Sequence, residues 1–127
     1  GGSTVLKQNN ELNFKTIKTL KELEEEINKS DKTVMIDFTA QWCSACKEYE
    51  HITFQDEAVK KELDRFLLLK VDVTNNTQED QILMDKYDIF GPPAILFYGK
   101  DKKLIEKSKI IGYKNPQEFL EILKMIF

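Results

Sequence analysis

Residues 33–50 read TVMIDFTAQWCSACKEYE and place a short apolar segment directly ahead of two cysteines. The segment from Thr33 to Ala40 is apolar at nearly every position, which is typical of a strand covered on both faces. The glutamine, tryptophan and cysteine after it lead into a predicted helix from Cys43 to about Tyr49. The sequence therefore predicts a buried strand that gives way to a Cys-x-x-Cys pair at the N-terminus of a helix.

Elsewhere the chain alternates between predicted helices and strands. On the N-terminal side, apolar residues at positions 14, 17, 20, 23 and 27 have helical spacing. On the C-terminal side we expect a helix from near Asp56 and then a strand over 66–73. A further helix should run from a Thr77–Asp80 capping box to Tyr87. Strands at 94–98 and around 107–111 should form a hairpin, and Asn115 should cap a last helix. Alternating strands and helices form a parallel sheet, and a terminal hairpin adds antiparallel strands. The predicted fold class is therefore α/β, with a central mixed β-sheet flanked by helices on both faces.

The length and the charge of the chain limit its class. At 127 residues it fits one domain; we assign residues 14–127 to that domain and residues 1–13 to a polar N-terminal tail. Gly1 to Ser3 look like a cloning remnant, so the native start is taken to be missing. Basic residues number 19 against 22 acidic ones. This balance gives no electrostatic footprint for nucleic acid or for an anionic membrane surface.

Cys43 and Cys46 have the spacing and position of a redox pair. In the first turn of a helix, residues i and i+3 lie roughly 5 Å apart at Cα, a distance that a disulfide can bridge. The helix N-terminus favours an anion, which lowers the pKa of the Cys43 thiol and makes it the attacking sulfur. Cys46 lies one turn further in, so we expect it to be less exposed and to resolve the mixed disulfide.

Two other interpretations of the cysteine pair remain open. A zinc site needs two further ligands at suitable spacing, and the chain offers only His51 and carboxylates, so we expect no metal. A purely structural disulfide is possible, but one that closes a four-residue loop constrains the unfolded chain little. The strand–cysteine pair–helix context favours redox chemistry over both.

The segment from Asp37 to Lys47 resembles the active-site segment of the thioredoxin superfamily. Extended through Glu48-Tyr49-Glu50 and Thr53-Phe54, it is most similar to the C-terminal periplasmic domain of the DsbD membrane reductases. The resemblance covers about residues 30–127, with Gly91-Pro92-Pro93 and the final helix in the expected order. It implies a thioredoxin-like fold and the activity of a protein-disulfide reductase.

The resemblance also implies partners and a location. Domains of this family take two electrons from the transmembrane domain of the same polypeptide and pass them to its N-terminal domain. That domain reduces other periplasmic thiol proteins, including those of cytochrome c maturation. The cysteines carry the electrons, so no bound cofactor is expected. The expected location is the periplasm, within an inner-membrane protein, and the isolated domain is expected to be a monomer.

Two alternative functions stay open within the same fold. A free-standing periplasmic thioredoxin-like reductant would use the same chemistry, and only the native flanking sequence separates it from a membrane reductase domain. A non-catalytic binding module is the second alternative. Because such a module would be expected to have lost a cysteine, the presence of both Cys43 and Cys46 argues against it.

Two carboxylates are candidates for tuning the thiols. Asp37 lies inside the apolar strand, where burial should raise its pKa and allow it to exchange protons during thiol chemistry. The alternative is an aspartate that reaches solvent, and the match with the buried acid of thioredoxins favours the first interpretation. Lys70 is either a charge partner for Asp37 or a lysine that points to water. Glu50 shares a helical face with both cysteines; the resemblance implies a tuning role, and an exposed ion pair with Lys47 is an equal alternative.

Four further residues belong to the partner-docking surface that the resemblance implies. Pro93 matches the family's cis-proline. Pro92 departs from the family pattern, because a proline has no N–H to donate to a docked partner. Trp42 either shields Cys43 or forms part of this surface, and simple packing against its own domain is the equal alternative. For Phe90, core packing is the favoured alternative to docking.

Overall fold

The computed structural model describes residues 11–126. Within them, five strands and five α-helices follow one another, with short 3-10 helices at Thr53–Gln55 and Glu106–Ser108. The strands are β1 (Phe14–Thr16), β2 (Val34–Thr39), β3 (Leu67–Asp72), β4 (Ala94–Tyr98) and β5 (Ile110–Ile111). The helices are α1 (Leu20–Lys29), α2 (Ser44–His51), α3 (Glu57–Leu63), α4 (Gln78–Lys86) and α5 (Pro116–Ile126). Most of the predicted tail falls on residues 1–10, outside the described part.

The strands form one mixed sheet in the order β1-β3-β2-β4-β5. β3 is parallel to both of its neighbours, whereas β4 is antiparallel to β2 and to β5. β2 lies at the centre and all six of its residues are buried. Its side chains alternate between the two faces of the sheet: Ile36 and Phe38 join a cluster with α1 and α4, and Met35 joins one with α3 and α5. The predicted α/β class and the helices on both faces are confirmed.

The segment that begins at Phe14 does not form the helix that the sequence predicts. Phe14 to Thr16 form an edge strand, in which Phe14 lies in register with Leu68 of β3. The helix begins only at Leu20, after Thr19 and Glu22 close a capping box. The prediction of a helix from Phe14 is therefore wrong. The apolar spacing fits a helix, but pairing with β3 satisfies the backbone groups that an exposed first turn would leave to water.

The hairpin near the C-terminus is shorter than predicted. Ile110 and Ile111 pair with β4 as a strand, and Leu104 forms a single antiparallel bridge with Tyr98 of β4. Between them, residues 106–108 turn as a 3-10 helix instead of extending the strand. Ser108 stabilises this turn, because its hydroxyl and its backbone N–H both donate to the carbonyl of Ile105, at 2.7 and 3.1 Å. The prediction of a strand at Lys107 and Ser108 is wrong, and the predicted antiparallel pairing holds for two residue pairs.

The other helix starts follow the local signals. Thr77 and Asp80 form the predicted capping box of α4. Asn115 accepts from the backbone N–H of Glu118 at 2.9 Å and thereby caps α5, as predicted. Between residues 11 and 126, no helix combines the length and the apolar character that crossing a bilayer requires.

Candidate active site

Cys43 is the N-cap residue of α2. Its backbone is extended, and its sulfur accepts a hydrogen bond from the backbone N–H of Cys46 at 3.2 Å. The N–H of Cys43 itself donates to the carbonyl of Ala40, which turns the chain from β2 into the helix. An N-cap sulfur faces the unpaired N–H groups of the first helical turn, and these stabilise a negative charge. In the reduced protein this environment favours the thiolate of Cys43.

Cys43 and Cys46 are joined by a disulfide, with their Cα atoms 5.3 Å apart. Both are largely buried; Cys43 is 7% exposed and Cys46 is 3% exposed. Cys43 is thus the slightly more exposed residue of the two.

Asp37 lies in β2 and is 5% exposed. Burial raises the pKa of its carboxyl group to about 7; the Lys70 charge opposes this shift, and the Glu50 charge adds to it. No hydrogen bond from residues 11–126 reaches the carboxylate to offset the lost hydration. A group with a pKa near 7 can both take up and release a proton at neutral pH. The structure therefore places a buried acid with this capacity on the strand that leads into Cys43.

The sequence left two interpretations of Lys70 open, and the one that makes it a charge partner of Asp37 holds in part. Lys70 lies directly across from Asp37 in the register of β2 and β3, and its charge lowers the pKa of Asp37. Its ammonium group, however, lies 5.1 Å from the centre of the Phe14 ring. No ion pair within residues 11–126 joins Lys70 to Asp37. Lys70 thus acts on Asp37 through its field alone.

Glu50 is exposed on α2, one turn after Cys46. Of the ion pairs within residues 11–126, none joins it to Lys47, so the alternative role is not seen. Its negative charge raises the pKa of Asp37. The charge of Asp37 in turn acts on Tyr49, the residue before Glu50. Met35, which shares a face of β2 with Asp37, packs in one cluster with Tyr49, so Asp37 lies on the sheet face that Tyr49 covers.

The Trp42 side chain is largely exposed, but its indole N–H is hydrogen-bonded. Its side chain is 62% exposed, while its indole N–H donates to the carbonyl of Thr74 at 3.0 Å. The hydroxyl oxygen of Thr74 accepts from the N–H of Gln41 at 2.9 Å, and Asp72 anchors Thr74 in turn. Thr74 was not predicted as a site residue, since its contacts with the cysteine loop join distant parts of the chain and leave no local pattern.

The loop before β4 contains the two prolines and an exposed ring. The Pro92–Pro93 bond is cis. Phe90 is fully exposed, so the favoured expectation that it packs in the core is wrong. Pro93 is buried, and the next residue, Ala94, packs in the same cluster as both cysteines. The proline loop and the disulfide thus belong to one end of the sheet.

The described residues show no candidate metal centre. Between residues 11 and 126, no three His, Cys, Asp or Glu side chains are grouped closely enough to hold an ion. His51 is exposed at the end of α2.

The amino-acid sequence of this chain is similar to the sequences of several curated proteins. The chain is 42% identical over 125 residues to the thiol:disulfide interchange protein DsbD of Photorhabdus laumondii and 38% identical over 118 residues to that of Actinobacillus pleuropneumoniae. These matches cover 97% and 92% of this chain but only 22% and 20% of the relatives. The chain thus spans about a fifth of the length of the curated relatives it matches.

Structural comparison and a family model agree with this similarity. The oxidised C-terminal domain of Neisseria meningitidis DsbD superposes with a TM-score of 0.72 at 29% identity, over 87% of this chain and 98% of that one. The family model described as Thioredoxin matches residues 14–125, which include both cysteines and the two prolines. A mixed sheet, a disulfide at the start of a helix and this match lead to one conclusion: the chain belongs to the thioredoxin family.

Proposed function

We propose that this chain is a thiol–disulfide oxidoreductase domain that relays two electrons through Cys43 and Cys46. The observation that carries the proposal is their disulfide at the N-terminus of α2, with the more exposed cysteine in the N-cap position. A helix N-terminus stabilises the thiolate form of that sulfur, and the thiolate is the reacting species in disulfide exchange.

The exchange balances in two steps. In the reduced domain, the Cys43 thiolate attacks a partner disulfide; a mixed disulfide forms and one partner sulfur leaves as a thiolate. The Cys46 thiolate then attacks the Cys43 sulfur, so the internal disulfide forms and the second partner sulfur leaves. Two electrons pass to the partner, which takes up two protons. The reverse sequence recharges the domain from a dithiol donor.

Asp37 is the proposed proton acceptor for the second step. Cys46 is the more buried cysteine and must lose its proton before it can attack. Asp37 has a pKa of about 7 and lies on the sheet face that Tyr49 of α2 covers. Glu50 supports the same role indirectly, because its charge raises the pKa of Asp37. No cofactor enters the proposed reaction.

The proposed partners are the other domains of a longer DsbD-like polypeptide. Electrons would arrive from its transmembrane domain and leave to its N-terminal domain, in the periplasm, for thiol proteins that include those of cytochrome c maturation. The length of the curated relatives supports this role, since this chain matches about a fifth of each. In this proposal residues 14–127 form the domain, and it is monomeric when isolated.

The proposed docking surface combines two exposed aromatic side chains with the proline loop. Trp42 and Phe90 are the exposed rings, at 62% and full exposure. Exposed aromatic side chains are typical anchors for a partner. Pro92 and Pro93 present backbone to that partner. Because Pro92 has no N–H, a docked chain can bond only to its carbonyl.

Single-cysteine variants test the assignment of roles. With dithiothreitol as donor, the unmodified domain should catalyse the reduction of insulin, and Cys43→Ser and Cys46→Ser should both lose this activity. In a separate incubation of the pre-reduced variants without dithiothreitol, only Cys46→Ser should accumulate a mixed disulfide with insulin, seen as a mass increase that reductant removes. Equal adduct formation by Cys43→Ser would refute the assignment of the nucleophile, and an unmodified domain without activity would refute the function.

A second experiment tests the proposed relay. The reduced domain is mixed with the oxidised N-terminal domain of a DsbD relative, and the thiols of both are counted after acid quenching. We expect electron transfer from the reduced domain to the N-terminal domain of the DsbD relative to be faster than its transfer to insulin. Equal or slower transfer would favour a free-standing reductant of broad specificity.

A further inference from the structure

Tyr49 connects the cysteine helix to a distant loop. It lies on α2, three residues after Cys46, and is 1% exposed. Its hydroxyl donates to the carbonyl of Gly112 at 2.7 Å and accepts from the backbone N–H of Lys114 at 3.0 Å. One side-chain oxygen thus satisfies two backbone groups of the segment between β5 and α5.

Gly112 extends this connection to the proline loop. Its N–H donates to the carbonyl of Pro93 at 3.1 Å, beyond the last residue pair of the β4–β5 ladder. Its φ of +88° is a left-handed conformation that glycine adopts readily. Tyr49, Gly112 and Pro93 therefore form a continuous hydrogen-bonded path from α2 to the loop before β4.

The tyrosine is held in a fixed position with its proton in place. Its ring is stacked on Phe54 with centroids 5.3 Å apart and meets Phe119 edge-on at 6.2 Å. Burial raises the pKa of Tyr49 above its ordinary value, so the hydroxyl remains a donor at neutral pH. A rigid ring with a protonated hydroxyl keeps Gly112 at a constant distance from the cysteine helix.

We propose that Tyr49 is a positioning residue for partner docking, whose hydroxyl holds Gly112, and through it the Pro93 loop, at a set distance from the cysteines. This inference rests on the proposed exchange function. A protein partner must reach the Cys43 sulfur while it lies against the proline loop, so a shift between the two surfaces weakens its docking. A small disulfide that touches only the sulfur is insensitive to that shift.

Tyr49→Phe removes the hydroxyl and keeps the ring, and Tyr113→Phe is its matched control. The rings of Tyr49 and Tyr113 are 5.1 Å apart, but the Tyr113 hydroxyl pairs with Thr53 and lies outside the path to Pro93. With insulin as the protein disulfide, we expect Tyr49→Phe to raise KM about threefold to tenfold, the range for losing the hydrogen bond to Gly112, with kcat nearly unchanged. Its rate with 5,5′-dithiobis(2-nitrobenzoate), and both rates of Tyr113→Phe, should stay within about twofold.

Amide hydrogen exchange gives a readout that does not depend on turnover. In Tyr49→Phe, the Gly112 amide should exchange at least about tenfold faster, while the amides of β2 keep their protection. Unchanged exchange at Gly112, an unchanged KM, or equal effects in both tyrosine variants would overturn the proposal. If the unmodified domain fails to reduce insulin, the proposed function and the docking role fail together. Faster exchange at Gly112 would then show only that the structural path exists.

Discussion

Replacing Asp37 by asparagine should remove a large pH dependence from the stability of the oxidised domain. The side chain is 5% exposed, and burial raises its pKa from 3.8 to about 7. In the unfolded chain the same carboxyl group ionises near its ordinary value. Between about pH 4 and pH 7 the folded state therefore holds one proton that the unfolded state has released.

The sign and the size of the change in unfolding free energy with pH follow from this difference in bound protons. Because the folded state binds the extra proton, each rise in pH through this window favours the unfolded state. One pH unit is worth about 1.36 kcal/mol, so the wild-type domain should lose roughly 3 kcal/mol of unfolding free energy from pH 5 to pH 8 through this group alone. An asparagine side chain cannot ionise, so the Asp37→Asn variant lacks this loss and becomes the more stable protein at pH 8.

Urea unfolding of the oxidised proteins at pH 5 and pH 8 measures the effect. Asp31→Asn, which changes an exposed aspartate, is the control and should keep the wild-type pH dependence. The unfolding free energies of wild type and Asp37→Asn should converge toward pH 5 and separate at pH 8. If the two proteins lose the same free energy over this range, Asp37 is not the buried acid that the structure indicates.

Two further variants test neighbouring parts of the site. Lys70→Met removes the cation that lowers the pKa of Asp37, so the Asp37 carboxyl should titrate at a higher pH in an NMR pH titration; an unchanged or lower value would contradict the role of Lys70. Phe90→Ala should change the unfolding free energy by less than about 0.5 kcal/mol, because the ring is fully exposed. It should nevertheless raise KM for insulin, and a clear loss of stability with unchanged KM would show that Phe90 is structural.

The redox pair and most of the helix starts could be predicted from short patterns. The cap at Asn115 is made within three residues, and the capping box at Thr77 is equally local. The spacing of Cys43 and Cys46 in a first helical turn brings them within disulfide distance. Each of these features is formed by residues only three positions apart along the chain, so the sequence alone predicts it.

Two of the wrong predictions concern residues whose surroundings are set by distant segments. Phe14 has helical spacing with Ile17, yet it joins β3 as an edge strand, because β3 offers backbone partners that no local pattern reveals. Phe90 is apolar and was expected in the core, yet the loop that leads to Pro93 leaves its ring in solvent. Neither outcome has a signal within a few residues of the position concerned.

Local signals along the chain were enough to establish an α/β fold class with two cysteines at the beginning of a helix, because apolar spacing and helix caps act over only a few residues. Tertiary packing determined the pKa of Asp37 and the hydrogen-bond partners of the Tyr49 hydroxyl. The pKa of Asp37 depends on burial at the centre of the sheet and on charges from β3 and α2. The hydroxyl of Tyr49 meets a carbonyl 63 residues away. Both depend on which segments pack together, and that arrangement exists only after folding.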